Sequence, residues 1–226
     1  MPTTPGPDFV LIGAPETATP LLRDALARHP QVHVALGPGD HERADTGQLV
    51  GEHAPHTLAD AAGRAGLGAT SKLVVVVRDP VDRAFAAWTR LRREGVEPEH
   101  DFVRAVRRED DPSFGYRSLG LYGEQLTDLF AHVDPRRALV LRHRDVLDHA
   151  ELSLHRVCEL LGIDTGLVPV AVGSEHHARP RPTAEQRAAL LPLFSDDIER
   201  FARLVGQEFS EWLEHRAAPL HRASAG

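Results

Sequence analysis

Lys72-Leu-Val-Val-Val-Val-Arg-Asp-Pro-Val-Asp-Arg-Ala-Phe-Ala-Ala-Trp88 is the stretch whose reading decides the fold. Its apolar run, bounded by a Lys and by Arg-Asp-Pro, predicts a strand buried on both faces, as in a parallel sheet. Pro80 stands where a helix can begin, because its fixed φ suits the first turn and its missing N–H is not needed there. From Val81 onward, Ala84, Phe85, Trp88 and Leu91 recur at helical spacing. The unit is strand, turn, helix, with Arg78 at the carboxyl end of the strand. In open α/β sheets ligands bind at that end.

Working outward, Phe9-Val-Leu-Ile-Gly13 is a second buried strand, followed by the loop Gly13-Ala-Pro-Glu-Thr-Ala-Thr19. Thr19 as N-cap and Pro20 at the first helical position open a helix to about His29. Residues 30–34 suggest a short strand, and 37–48 a Gly-rich polar loop. Residues 59–69 give at best a weak helix, and 101–108 a short amphipathic one. A turn at 110–116 precedes a helix over 119–132. Arg137-Ala-Leu-Val-Leu-Arg142 is a third strand candidate, and Ala150–Leu161 a helix closed by Gly162. Residues 173–182 read as irregular, Thr183 caps a helix carrying Leu190 and Leu191, and 196–205 gives the last helix. Residues 1–7 read as a flexible lead-in, 8–214 as a single α/β domain, and 215–226 as a frayed tail. The alternation predicts an α/β three-layer sandwich, with a mainly parallel central sheet flanked by helices.

Composition narrows the function classes. The 226 residues are 42% hydrophobic and 26% charged, as in soluble globular proteins. No apolar run approaches the roughly 20 residues that span a bilayer. The N-terminus lacks a basic and apolar leader, so the expected compartment is the cytoplasm, with no membrane partner. A net charge of −7 argues against a general nucleic-acid binder. The one cysteine, Cys158, lies in an apolar helical pattern and reads as inert packing. Lys72 is the single lysine among 26 basic residues, so Lys→Arg exchange is expected of this chain, and Lys→Glu is not.

Two segments resemble a known family. Residues 9–32 resemble the first strand, phosphosulfate loop and helix of sulfotransferases that use 3′-phosphoadenosine 5′-phosphosulfate (PAPS), and Lys72–Trp88 their 3′-phosphate-binding strand and helix. Gly51-Glu-His-Ala-Pro-His-Thr-Leu58 is similar to the segment between them, usually Gly-Glu-x-Ser-Pro-x-Tyr-Leu. Gly120, Tyr122, Gln125-Leu126, 138–141 and 160–162 are similar to the C-terminal half. The resemblance implies a sulfotransferase fold and sulfuryl transfer from PAPS to a hydroxyl or amine of a small-molecule acceptor, with no metal. It sets Glu16, Thr17, Ala18, Thr19 and Arg78 at the donor, Glu52 as catalytic base with His53 as its substitute, and His56 and Tyr116 at the acceptor. The sequence leaves room for a homodimer.

The departures from the family fall on the donor site. Glu16 stands where the loop lysine is usual. Two like charges about 4 Å apart at an effective dielectric of ~20 repel by about 4 kcal/mol. Ala18 replaces a Gly and is expected to restrict any positive φ there. Pro20 replaces a Thr, and Ala86 the 3′-phosphate Ser. An alternative therefore stays open, a sulfotransferase-fold enzyme that has left PAPS for other acid/base chemistry, or a non-catalytic member. For Arg78 the competing role is an ion pair with Asp79 or Asp82, and for Glu52 a solvated loop carboxylate. A P-loop nucleotidase is excluded, because Gly-x-x-x-x-Gly-Lys-Ser/Thr is absent. His41, Asp45, His176 and His177 have no zinc-site spacing.

Overall fold

The structure is a computed structural model and describes residues 6–35, 47–67, 70–108, 114–167 and 180–214. In its first half β1 (Phe9–Gly13), α1 (Thr19–Leu26), β2 (Val32–Ala35), β3 (Leu49–His53), α2 (Ala61–Gly66) and β4 (Lys72–Val77) succeed one another. Then come α3 (Pro80–Arg93), α4 (Phe102–Arg108), α5 (Tyr122–Phe130), β5 (Ala138–Arg142), α6 (His143–Asp148) and α7 (Ala150–Leu161). The last are α8 (Ala184–Leu190), α9 (Ser195–Val205) and α10 (Ser210–Leu213). The described residues form two compact units. One holds those up to Arg78 and those from Glu124 to 167; the other holds Asp79–Gly123 and 180–214. Among the described residues no helix is long and apolar enough to cross a membrane.

The first unit is built on a five-stranded sheet in the order β2-β3-β1-β4-β5, parallel at every pairing. Phe9, Leu11, Val74 and Val76 pack with Leu22 and Leu26 of α1 and with Leu154, Val157 and Leu161 of α7. The alternate positions Val10, Ile12, Leu73, Val75 and Val77 are no more than 3% exposed, so the central strands are covered on both faces. That is the fold class the apolar runs imply. Gly51 is required by packing, since a Cβ there would lie 2.0 Å from Cζ of Phe9. Helix α7 ends at Gly162, with φ +76°, and the Lys72 ammonium donates to the Leu161 carbonyl at 2.9 Å. The single lysine thus closes a helix end. Burial pushes the Cys158 thiol up, which keeps it inert.

The strand order fixes where a ligand can sit. From the carboxyl end of β1 the chain leaves toward β2, and from that of β4 it leaves toward β5. The two connections diverge, opening a crevice between these ends.

In the second unit Asp79 caps α3, accepting from the Val81 and Asp82 N–H groups at 2.9 and 3.1 Å. Pro80 is the first helical residue, as its ring dictates. Phe85 meets Phe102 edge-on at 5.0 Å, and the fully buried Arg83 donates to the carbonyls of Gly115 and Tyr116. Thr183 and Gln186 form a reciprocal capping box at the start of α8.

Three sequence expectations are corrected. Residues 49–53, to which the sequence reading assigns no element, form a strand, because β1 and β2 supply a ladder on each side of a run with only two leading apolar residues. Helix α1 stops at Leu26, three residues short of His29, where the chain turns into β2. The expected helix over 119–132 divides into a single 3₁₀ turn at Ser118–Gly120 and α5, and α6 was not foreseen.

Candidate functional site

The loop after β1 carries a strained residue. Glu16 has φ +68°, the only positive φ among the described non-glycine residues, in a region an L side chain enters at a cost of about 1–2 kcal/mol. Ala18 has φ −87°, so the loop needs no glycine there; the left-handed position lies two residues earlier. Thr17 ties the loop to itself, its hydroxyl donating to the Ala14 carbonyl at 2.8 Å. Ala18, not Thr19, occupies the cap position of α1. Thr19 is its first residue and makes no side-chain cap bond, being 2% exposed and turned inward. The N–H groups of Ala18 and Thr19 make no hydrogen bond among the described residues and head the helix.

Arg78 enters the same crevice from the end of β4. It is 9% exposed, and its Nη1 donates to the carbonyl oxygen of Glu16 at 3.0 Å. The arginine and the loop are therefore one hydrogen-bonded arrangement. Asp79, the competing partner foreseen for Arg78, is taken from its own unit. Two nitrogens of Arg187 grip its carboxylate, the longer contact being 3.0 Å. Arg187 lies 108 residues away and was not foreseen. Its signal is a charged residue three positions before Leu190 on the buried stripe of α8, itself 5% exposed.

Glu52 and His53 end β3, beside β1, in register with Val10 and Leu11. Successive strand residues face opposite sides, so the two do not share a face. His53 lies on the Leu11 side, which α1 covers, and Glu52 on the other; both are half-buried. Burial holds the His53 imidazolium below the usual histidine range. The Arg23 charge adds to this, Asp24 opposes it, and His56 lowers it further. Its Nε2 is buried with no hydrogen-bond partner. In the Nδ1–H tautomer that nitrogen is a proton acceptor. His56 is exposed in the turn beyond.

Tyr116, placed at the acceptor by the resemblance, lies in the second unit. It is fully buried, its hydroxyl donating to the Glu97 carboxylate at 2.8 Å. Burial, then that carboxylate, pushes the phenol far above its ordinary range. Ala86 is half-buried on α3 and brings no hydroxyl. Arg181 is exposed, while His41, Asp45, His176, His177 and Arg179 lie outside the described residues. No group of three His, Cys, Asp or Glu among the described residues is arranged to hold a metal ion.

The crevice fits a phosphate-bearing ligand in three respects: two N–H groups at a helix start, a loop in a left-handed turn, and a buried arginine. Glu16 is the residue at odds with it.

Comparison with known proteins agrees with this architecture. A model described as "Sulfotransferase family" matches residues 69–166. Human heparan sulfate glucosamine 3-O-sulfotransferase 3B1 is 26% identical over 181 residues, covering 70% of this chain and 46% of that protein. The chain thus spans about half the length of the curated relatives it matches. Among solved structures, a sulfotransferase from Alicyclobacillus acidocaldarius superposes with a TM-score of 0.79 at 21% identity, over 93% of this chain and all of the other. Mouse sulfotransferase SULT7A1, solved in complex with PAP, gives 0.57 at 15% identity, over 89% of this chain and 88% of the other. The chain thus shares the fold of solved sulfotransferases over nearly its whole length, and from residue 69 to 166 its sequence is similar to the sulfotransferase family.

Proposed function

We propose that the protein transfers a sulfuryl group from PAPS to a hydroxyl or amine of a small-molecule acceptor. The observation that carries this reading is the bond from Arg78 to the Glu16 carbonyl, which joins the end of β4 to the loop after β1 across the crevice. Arg78 would hold the 3′-phosphate, a task for which its planar fork is suited. The N–H groups of Ala18 and Thr19 would hold the 5′ side. PAPS supplies the sulfuryl group and is left as adenosine 3′,5′-bisphosphate. The chain's own part is to take the acceptor's proton, the role given to Glu52, with the neutral Nε2 of His53 as its substitute.

Glu16 favours a second reading, in which the crevice has left PAPS for other acid/base chemistry on a small molecule. A carboxylate at the loop position repels the anion that a lysine would attract. Calorimetric titration with adenosine 3′,5′-bisphosphate separates the two. Micromolar binding that Arg78→Ala abolishes is expected for the donor reading. No heat at millimolar nucleotide overturns it in favour of the second.

A further inference from the structure

Glu16 is half-buried in a turn where glycine would be the unstrained choice. A side chain kept at such a torsion points to a task for it. The same short turn carries the carbonyl that Arg78 holds and, two and three residues on, the N–H groups of Ala18 and Thr19 that head α1. Under the donor reading, the Glu16 carboxylate belongs to the turn that holds the 5′ side of the nucleotide. Two anions brought together in a crevice repel, and a divalent cation shared between them reverses the sign. Magnesium is commonly bound in this way, by one or two carboxylates together with ligand phosphate oxygens, its other positions filled by water. On the Glu16 carboxylate it leaves a net single positive charge, the charge that a lysine would bring to the loop.

We propose that Glu16 is a ligand to a magnesium ion, and that the crevice takes the nucleotide as its magnesium complex. The inference rests on the donor reading and gives a role to the one residue at odds with it. The resemblance implies no metal, and a carboxylate in place of the loop lysine is the reason to depart from it. Among the described residues no group of three His, Cys, Asp or Glu is arranged to hold an ion. The phosphate oxygens of the nucleotide therefore complete the set, and ion and nucleotide raise each other's affinity by the same factor.

The test is calorimetric titration with adenosine 3′,5′-bisphosphate, once in millimolar magnesium chloride and once in EDTA at matched ionic strength. Wild-type binding is expected to be about tenfold tighter or more with magnesium. Glu16→Gln keeps the side-chain length and loses the ligand, so it should bind alike in both buffers. Glu16→Lys carries its own cation and should bind in EDTA about as tightly as the wild type does with magnesium. Electron paramagnetic resonance of added manganese reads the ion in the unaltered protein. The signal of free manganese should fall with protein and nucleotide together, beyond the loss that nucleotide alone causes, and stay unchanged with protein alone. Equal wild-type affinity in the two buffers overturns the inference and leaves the donor reading standing. A magnesium effect undiminished in Glu16→Gln also overturns it, because some other group then holds the ion; should that variant not fold, the manganese signal decides. No wild-type heat in either buffer sinks the donor reading and this inference with it.

Discussion

The loops that follow β1 and β4 flank one crevice and bring opposite charges to it. The β4 side keeps a cation, Arg78, with the neighbouring acid occupied by Arg187. The β1 side keeps the backbone of an anion cradle, with N–H groups heading α1, but sets a carboxylate in a left-handed turn. Backbone geometry and side-chain charge are thus separable features of this loop. The first is held by sheet and helix; the second can reverse without moving them. Arg78 donates to the Glu16 backbone carbonyl, a contact that any residue at this position can offer.

The largest effect expected from altering this contrast is at Glu16. Glu16→Lys replaces a repulsion with an attraction and should raise affinity for adenosine 3′,5′-bisphosphate at least tenfold in calorimetry, the gain shrinking as salt rises. Glu16→Gly removes the charge and the steric strain together. It should raise affinity less than Lys does, while stabilising the fold by about 1 kcal/mol, or about 2–4 °C in thermal melting. If Lys and Gly act alike on binding, charge is not what distinguishes the two loops. If Gly gives no thermal gain, the left-handed turn is not strained.

How much of this was legible in the sequence differs between the same two regions. Residues 72–88 announce themselves, because a strand buried on both faces must be a continuous apolar run and Pro80 must sit at a helix start. Residues 49–53 do not. A strand that ends at a ligand crevice carries polar groups at its carboxyl end, and Glu52 and His53 erase the apolar signature there. In the β1 loop, residue types indicated the chemistry but not the torsions. Ala18 was expected to restrict any positive φ at its own position, and the chain places the positive φ two residues earlier, at Glu16. Arg187 was out of reach for a different reason. Its partner is 108 residues distant, and no local pattern reports a pairing made only in the folded chain.

A smaller effect is expected at His53, on the edge of the β1 side. Its folded-state pKa is lowered, chiefly by burial, so between that value and about 6.5 the unfolded chain binds more protons than the folded one. Stability should therefore be full above about pH 6.5 and fall as pH drops through this window. Urea melts at pH 5 and pH 7 would show the difference, and His53→Gln should reduce it. A pH dependence unchanged by the substitution would mean that burial of this ring does not govern acid stability. If His53 is also the acceptor's base, the acid limb of kcat/KM should titrate below pH 6.5 and disappear in the same variant.

The smallest effect on binding is expected at Tyr116, whose position in the second unit sharpens the contrast from outside. Its hydroxyl serves the 4%-exposed Glu97, whose other oxygen accepts from the Glu99 N–H at 2.7 Å. Tyr116→Phe leaves one carboxylate oxygen of a buried group short of a donor and should cost about 1–3 kcal/mol of stability. Nucleotide affinity should stay within about twofold, because what the phenol touches is a carboxylate of its own unit and not the crevice. The combination to look for is a clear loss in thermal midpoint with an unchanged calorimetric Kd. A Kd that weakens in proportion to stability would instead tie the Glu97 region to the phosphate site, and an acceptor-specific rise in KM would return Tyr116 to the acceptor role its sequence position implied.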